Sequence, residues 1–277
     1  MNSPRGEVIA VQHLCKSYGP VPAVDDVSFS VLAGEVFGIV GPNGAGKTTT
    51  VECLAGLRSP NGGSVRVLGL DPGRQRRDLL QRIGVHLQNA SLPNDITVQE
   101  ALALFRRLYR TGADWRELMR RWGLEEKRGA RFSSLSGGQR QRLFVALALV
   151  NDPRVVFLDE LTTGLDPLAR RTSWDAIEEL RAGGTTVVLV THSMEEAEAL
   201  CDRVAIFDRG SVIALDTPRR LIEGLGARGI ATPRLRSGRL CLEDVFLALT
   251  DHAAGHATGH AARATRARST ETVEANP

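Results

Sequence analysis

A chain of 277 residues, 42% hydrophobic and 24% charged, is long enough for one large or two modest globular domains with a proper core. Its net charge of +3 is too small to argue for a nucleic-acid partner by itself. Its longest unbroken apolar run, residues 143–150, falls far short of the roughly 20 residues that cross a bilayer.

The first ten residues have no apolar signal core. The four cysteines, Cys15, Cys53, Cys201 and Cys241, have no paired metal-ligand spacing, so a reduced cytoplasmic setting is expected. Residues 7–37 read as short strands, with alternation from Val27 to Val31 and a turn at Gly34. "VFGIV" is apolar throughout and predicts a buried parallel strand, after which "KTTTVECLAGL" predicts a helix. Residues 64–71 and 82–88 read as two more strands. Thr97 and Glu100 form a capping-box pattern, and Ala101, Leu104, Phe105 and Leu108 then share one helical face. Trp115, Leu118, Met119 and Trp122 repeat that spacing, and both stripes read as core packing. Residues 139–152 predict a helix closed by Asp152-Pro153. "RVVFLDE" and "TTVVLVTH" predict strands, and residues 203–216 a hairpin around Arg209-Gly210. Alternating strands and helices imply an α/β core with a parallel sheet, interrupted by a helical block. The last 26 residues lack large apolar side chains apart from one valine and read as a disordered tail.

Three segments carry chemistry. "GPNGAGKT", residues 41–48, fits G-x-x-x-x-G-K-[ST] between a strand and a helix, the context that motif requires. The loop Gly41, Pro42, Asn43, Gly44, Ala45, Gly46, Lys47, Thr48 and Thr49 is expected to enclose phosphate oxygens with the backbone N–H groups of its non-proline residues, at the positive end of a helix. The Lys47 ammonium reaches the β and γ phosphates, and Thr48 offers a hydroxyl to Mg²⁺. Lysine is scarce in this chain, occurring only at positions 16, 47 and 127, so Lys47 is not generic surface charge. "VVFLDE" delivers two carboxylates to the carboxyl end of a strand, where ligands bind in such sheets. Asp159 is expected on Mg²⁺. Glu160, pointing to the opposite face, is expected to polarise an attacking water. "LSGGQ", residues 135–139, places a serine and two glycines at a second helix N-terminus, a second anion site.

Five segments together, in order, resemble the nucleotide-binding subunit of ABC transporters, over about residues 7–217. The resemblance implies an α/β fold: a P-loop NTPase ABC-type ATPase core with a helical insertion subdomain and a small antiparallel β region at the N-terminus. It implies an ATPase domain over 7–222 with the insertion at about 89–134, an extension over 223–251 and a tail over 252–277. It implies ATP and Mg²⁺ as ligands. It also implies a head-to-tail pair in which Ser136, Gly137, Gly138 and Gln139 of one chain close over the ATP of the other. Gln88 resembles the glutamine that senses Mg²⁺, Asp166 in "GLDP" the residue that contacts the opposing subunit, and His192 the histidine that holds the γ-phosphate. Tyr18 resembles the aromatic that stacks on adenine. One position departs from the pattern: Leu161 stands where the family usually has proline.

With no span of its own, such a subunit passes its motion to a separate polytopic permease, through the helical insertion, at the cytoplasmic face of a bacterial membrane. Residues 240–250 and 84–110 resemble the daunorubicin-resistance-like group of drug and polyketide exporters, which implies export of a small hydrophobic compound. The alternative is a soluble ATPase of the same superfamily acting on ribosomes, DNA or an assembly scaffold. A single "LSGGQ" and the lack of long coiled coils or zinc-type cysteines weigh against it.

Overall fold

A computed structural model of the chain describes residues 6–88, 90–227 and 240–250. It divides into two compact units, Met1–Pro218 and Arg219–Pro277. The first unit contains two sheets. Strands β1 (Glu7–Tyr18) and β2 (Val21–Leu32) pair antiparallel, and β4 (Gly62–Val67) adds to the other edge of β1. Strands β3 (Val36–Val40), β5 (Ile83–His86), β6 (Val155–Asp159), β7 (Thr186–Thr191), β8 (Arg203–Asp208) and β9 (Ser211–Asp216) form the second, in the order β5-β6-β7-β3-β8-β9. All its pairings are parallel except the β8–β9 hairpin at one edge.

Strand composition explains this arrangement. Every residue of β3, β6 and β7 is buried, as expected for parallel strands covered on both faces. In β2 apolar Val27, Phe29 and Val31 alternate with polar neighbours, so one face meets the core and the other meets water. That face of the small sheet packs toward Phe37, Ile39, Val188, Val190 and Phe207 of the parallel sheet, and Phe29 stacks on Phe37 at 5.2 Å. Helix α1 (Lys47–Leu54) contributes Val51, Cys53 and Leu54 to this same core.

The remaining helices of this unit are α2 (Arg76–Leu80), α3 (Val98–Arg107), α4 (Trp115–Arg121), α5 (Gly137–Ala148), α6 (Pro167–Ala182) and α7 (Met194–Leu200). Helix α3 starts at the expected capping box: Thr97 accepts from the Glu100 N–H, and the Glu100 carboxylate accepts from the Thr97 N–H. The leucine and tryptophan stripes are only half core. Ala101, Leu102, Leu118, Met119 and Trp122 are buried, whereas Leu104 and Leu108 face solvent. Helices α2, α6 and α7 have no counterpart among the sequence expectations. Their start signals are nevertheless local: Asp166 caps α6 ahead of Pro167, and Ser193 caps α7 by accepting from the Glu196 N–H. The strand expected over residues 64–71 begins at Gly62 and joins the antiparallel sheet.

The second unit holds most of α8 (Pro218–Ala227) and a helix over residues 242–250. The expected disordered tail lies outside the described residues.

Close approach of backbones sets the position of α5. A Cβ placed on Gly84, in β5, would lie 2.0 Å from the Ala148 carbonyl oxygen at the end of α5. Backbone cannot yield there as a flexible side chain would. Gly84→Ala is therefore expected to destabilise the protein by roughly 2–3 kcal/mol, read as a fall of several degrees in the thermal unfolding midpoint. An unchanged midpoint would show that α5 is free to slide.

Candidate functional site

Four neighbouring strands of the parallel sheet, β5, β6, β7 and β3, end at one edge, and each hands a polar group to it. Strand β3 runs into the glycine loop. Its conformation depends on missing side chains at two points. Gly41 has φ 150° and Gly46 has φ 95°; a Cβ on the first would lie 2.2 Å from the Phe207 carbonyl oxygen, and on the second 2.3 Å from that of Ala23. The loop is thus held between β8 and the end of the small sheet. Gly46, left-handed, caps α1, whose first residue is Lys47.

Lys47 is 5% exposed. Its ammonium donates to the Gly41 and Pro42 carbonyls at 2.8 and 2.9 Å, folding back over the loop it belongs to. Burial holds its pKa below the ordinary lysine value, opposed by the nearby charges of Glu160 and Asp159. Next in α1, the Thr48 hydroxyl donates to Asp159 Oδ2 at 2.9 Å. Asp159 is fully buried, and its other oxygen, Oδ1, has no hydrogen-bond partner. Desolvation raises its pKa, with the Thr48 hydrogen bond acting against it.

Beyond Asp159 the chain turns sharply. Glu160 donates its N–H to the Val190 carbonyl, and then takes φ +52°, a left-handed conformation that non-glycine residues seldom adopt. Its carboxylate, only 7% exposed, is held from three sides. Gln88 Nε2 donates to Oε2 at 2.8 Å and the Thr163 hydroxyl to the same oxygen at 3.3 Å, while His192 Nδ1 stands 3.2 Å from Oε1. Gln88 follows β5 and His192 follows β7, so residues 72 and 32 positions away in sequence meet on one carboxylate. Thr163 has no role among the sequence expectations. Its only sequence signal is its place three residues after the carboxylate. Leu161, where a proline was expected, is buried at 1% exposure, so packing replaces the rigid ring in holding this turn.

The Thr48 hydroxyl, the free oxygen of Asp159 and the amide oxygen of Gln88, whose nitrogen is already engaged by Glu160, form a set of hard oxygen donors. The unpartnered Asp159 oxygen makes this set fit a small divalent cation such as Mg²⁺.

Tyr18 ends β1 with its hydroxyl 3.5 Å from the Thr49 hydroxyl, which places its ring beside α1. It is 43% exposed, and Arg58 and Lys16 approach the ring at 5.2 and 5.7 Å from its centroid.

Of the "LSGGQ" segment, Gly137 lines a cleft of about 240 Å³ together with Gln88 and Thr163. Ser136 caps α5 in a second capping box: its oxygen accepts from the Gln139 N–H, and the Gln139 side chain accepts from the Ser136 N–H. As an acceptor there, the Ser136 hydroxyl still has its proton to donate. A cleft of about 440 Å³ is lined by Ser136, Gly137, Gly138 and Gln139 together with Asp166 and its helix, and by none of residues 41–48. The structure therefore gathers Lys47, Thr48, Gln88, Asp159, Glu160 and His192 at one edge. It puts Ser136 and Asp166 together in a different cleft.

The profile of the ABC transporter family matches residues 24–163. The Nod factor export ATP-binding protein I of Rhizobium meliloti strain 1021 is 44% identical over 220 residues, which are 78% of this chain and 66% of that protein. A solved structure of the ATP-binding subunit of an ABC transporter superposes with a TM-score of 0.77 at 27% identity, over 88% of this chain and 99% of that one. A dimeric bacterial ABC transporter cassette superposes with a TM-score of 0.68 at 26% identity, over 76% and 98%. Matched family profile, cassette fold and phosphate loop agree: the chain belongs to the ABC transporter family, as one of its ATP-hydrolysing subunits.

Proposed function

We propose that two copies of this chain, paired head to tail, hydrolyse MgATP to drive export through a separate polytopic membrane subunit. The observation that carries this reading is the Gln88–Glu160–His192 cluster beside the Thr48–Asp159 pair, under the N-terminus of α1.

The triphosphate lies along residues 41–49, where backbone N–H groups and the positive end of α1 receive its charge. Lys47 exchanges its two carbonyl partners for β and γ phosphate oxygens, and Tyr18 stacks on the adenine in place of one of its two cations. Thr48, Asp159 and Gln88 would hold Mg²⁺, which when bound would offset the charge of the triphosphate. Glu160, oriented by Gln88, Thr163 and His192, accepts a proton from the water that attacks the γ phosphorus, and His192 steadies a γ-phosphate oxygen. The bond to the β-phosphate oxygen breaks, leaving ADP and phosphate. Ser136, Gly137, Gly138 and Gln139 supply the remaining phosphate contacts from the opposing chain, and Asp166 lies at that interface. That the "LSGGQ" cleft excludes the phosphate loop of its own chain supports this trans arrangement; so does the likeness to a dimeric cassette.

Export is supported by the likeness to the rhizobial Nod factor export ATP-binding protein I. Among the described residues no helix is long and apolar enough to cross a membrane, so the transported compound meets a different chain. A groove of about 220 Å³ lined by Leu57, Leu80, Phe105, Tyr109, Phe144 and Leu147 offers the permease an apolar seat. It adjoins the Gln88 loop through Val85, His86 and Ala90, so movement at the seat reaches the glutamine that touches Glu160. On this reading the subunit lies at the cytoplasmic face of the membrane, held there through its permease.

Three outcomes follow from the geometry. Glu160→Gln is expected to lower kcat for ATP hydrolysis by about 10²–10³-fold while ATP binding persists, trapping an ATP-bound dimer visible by size-exclusion chromatography. Hydrolysis at the wild-type rate would remove Glu160 as the base. Ser136→Arg and Lys47→Ala chains, each inactive alone, are expected to regain part of the ATPase activity when mixed, because one composite site is then intact. Absence of any recovery would exclude the head-to-tail pair. Glu160→Gln chain purified in mild detergent with MgATP is expected to bring down a polytopic membrane protein in stoichiometric amount. Ribosomal or DNA-bound partners instead would keep the ATPase and overturn export.

A further inference from the structure

Helix α3 and the turn that follows it present two different rows of side chains. Phe105 and Tyr109, four residues apart, line the apolar groove. Leu104 and Leu108, one residue earlier, are turned by about 100° on the helix and point into solvent, at 50% and 62% exposure. Two large aliphatic side chains therefore stand on the outer rim of the groove, largely uncovered among the described residues.

The same rim is strongly basic. Arg107 and Arg110 flank Leu108. The Gln81 side chain ties the end of α3 to the end of α2, accepting from the Arg110 N–H at 2.9 Å and donating to the Leu108 carbonyl at 3.4 Å. Helix α2, of which Gln81 is the C-cap, carries Arg76 and Arg77. The Arg76 stem lies against Gly56, next to the groove residue Leu57. All four arginines are exposed, and among the described residues none of them has an ion-pair partner. Three arginines of the helical block are paired, Arg120 with Glu117, Arg121 with Glu179 and Arg131 with Asp95, whereas the Arg106 guanidinium on α3 donates to the Tyr109 carbonyl. Asp78 is the one carboxylate on α2, against Arg76 and Arg77.

Unpaired guanidinium groups around protruding leucines match the chemistry of a lipid surface: anionic headgroups for the arginines and the headgroup–acyl boundary for the leucines. We propose that this rim rests directly on anionic lipid headgroups of the inner leaflet. The subunit then has a second membrane attachment, independent of the apolar seat for the permease. The orientation rests on the proposed function, since it takes the groove to face the membrane, but the lipid contact is measurable without a permease.

The test is co-sedimentation of the full chain with vesicles of phosphatidylcholine alone and of equal parts phosphatidylcholine and phosphatidylglycerol, at low and high salt. Binding to the anionic vesicles is expected to exceed that to neutral ones by at least roughly tenfold, since each arginine near such a surface contributes about fivefold. The excess should disappear at high salt. The Arg77→Glu/Arg107→Glu/Arg110→Glu variant is expected to lose it, and Leu104→Ser/Leu108→Ser to lose part of it, with unfolding midpoints unchanged because all five side chains are exposed. Equal binding to both vesicles, or anionic binding that survives the arginine variant, would overturn the inference. So would binding that appears only with an acidic membrane protein in the vesicles, which would make the rim a protein contact. If the salt-sensitive lipid binding holds while no permease co-purifies, the lipid contact stands and the export reading falls.

Discussion

Convergence of four adjacent parallel strands at one sheet edge is the constraint on which the site depends. Strands β5, β6, β7 and β3 lie side by side, and Gln88, Asp159 with Glu160, His192 and the glycine loop follow them in that spatial order. Parallel strands all end with the same polarity, so no further folding is needed to bring these groups within reach. The burial of both sheet faces makes the framework stiff. The α1 helix, wedged between the parallel sheet and the antiparallel one, is fixed at the depth where Thr48 meets Asp159.

Around this edge the chain tolerates several locally unfavourable arrangements. A lysine is buried on backbone carbonyls of its own loop, a fully buried aspartate has one oxygen without a partner, and Glu160 adopts a left-handed backbone. Burial alone pushes Lys47 and Asp159 each toward its neutral form, while their mutual attraction favours the charged one. Strain and unsatisfied groups gathered at one place are the pattern of a preorganised polar site, and they fit the proposed MgATP.

The geometry also divides labour. Groups that would touch the nucleotide and its cation cluster at the sheet edge, whereas Ser136 and Asp166 share another cleft with no phosphate-loop residue in its lining. On the proposed head-to-tail arrangement, a site split in this way would be completed only by a second copy. The groove beside the Gln88 loop, with its aromatic floor, and the basic, leucine-bearing rim outside it place two distinct surfaces on the same flank of the molecule.

Much of this was legible from residues alone. The phosphate loop, the Asp159-Glu160 pair at a strand end and the serine-glycine helix start are local patterns. Each depends on a strand, a turn and a helix next to one another in sequence, so short-range spacing announces them. The buried strands were equally plain, because continuous apolar runs suit only a covered parallel sheet. Less legible were α6 and α7, whose Asp-Pro and Ser-x-x-Glu starts are local but whose apolar faces are narrow. Also hidden was the exposure of Leu104 and Leu108: helical spacing says which residues share a face, not what that face meets. Tertiary structure alone decided that Gln88 and His192 close on the Glu160 carboxylate, that Gly84 lies under the end of α5, and that the Arg58 cation reaches the Tyr18 ring. These depend on strand order and on the packing of distant segments, and no local pattern encodes the order in which parallel strands lie side by side.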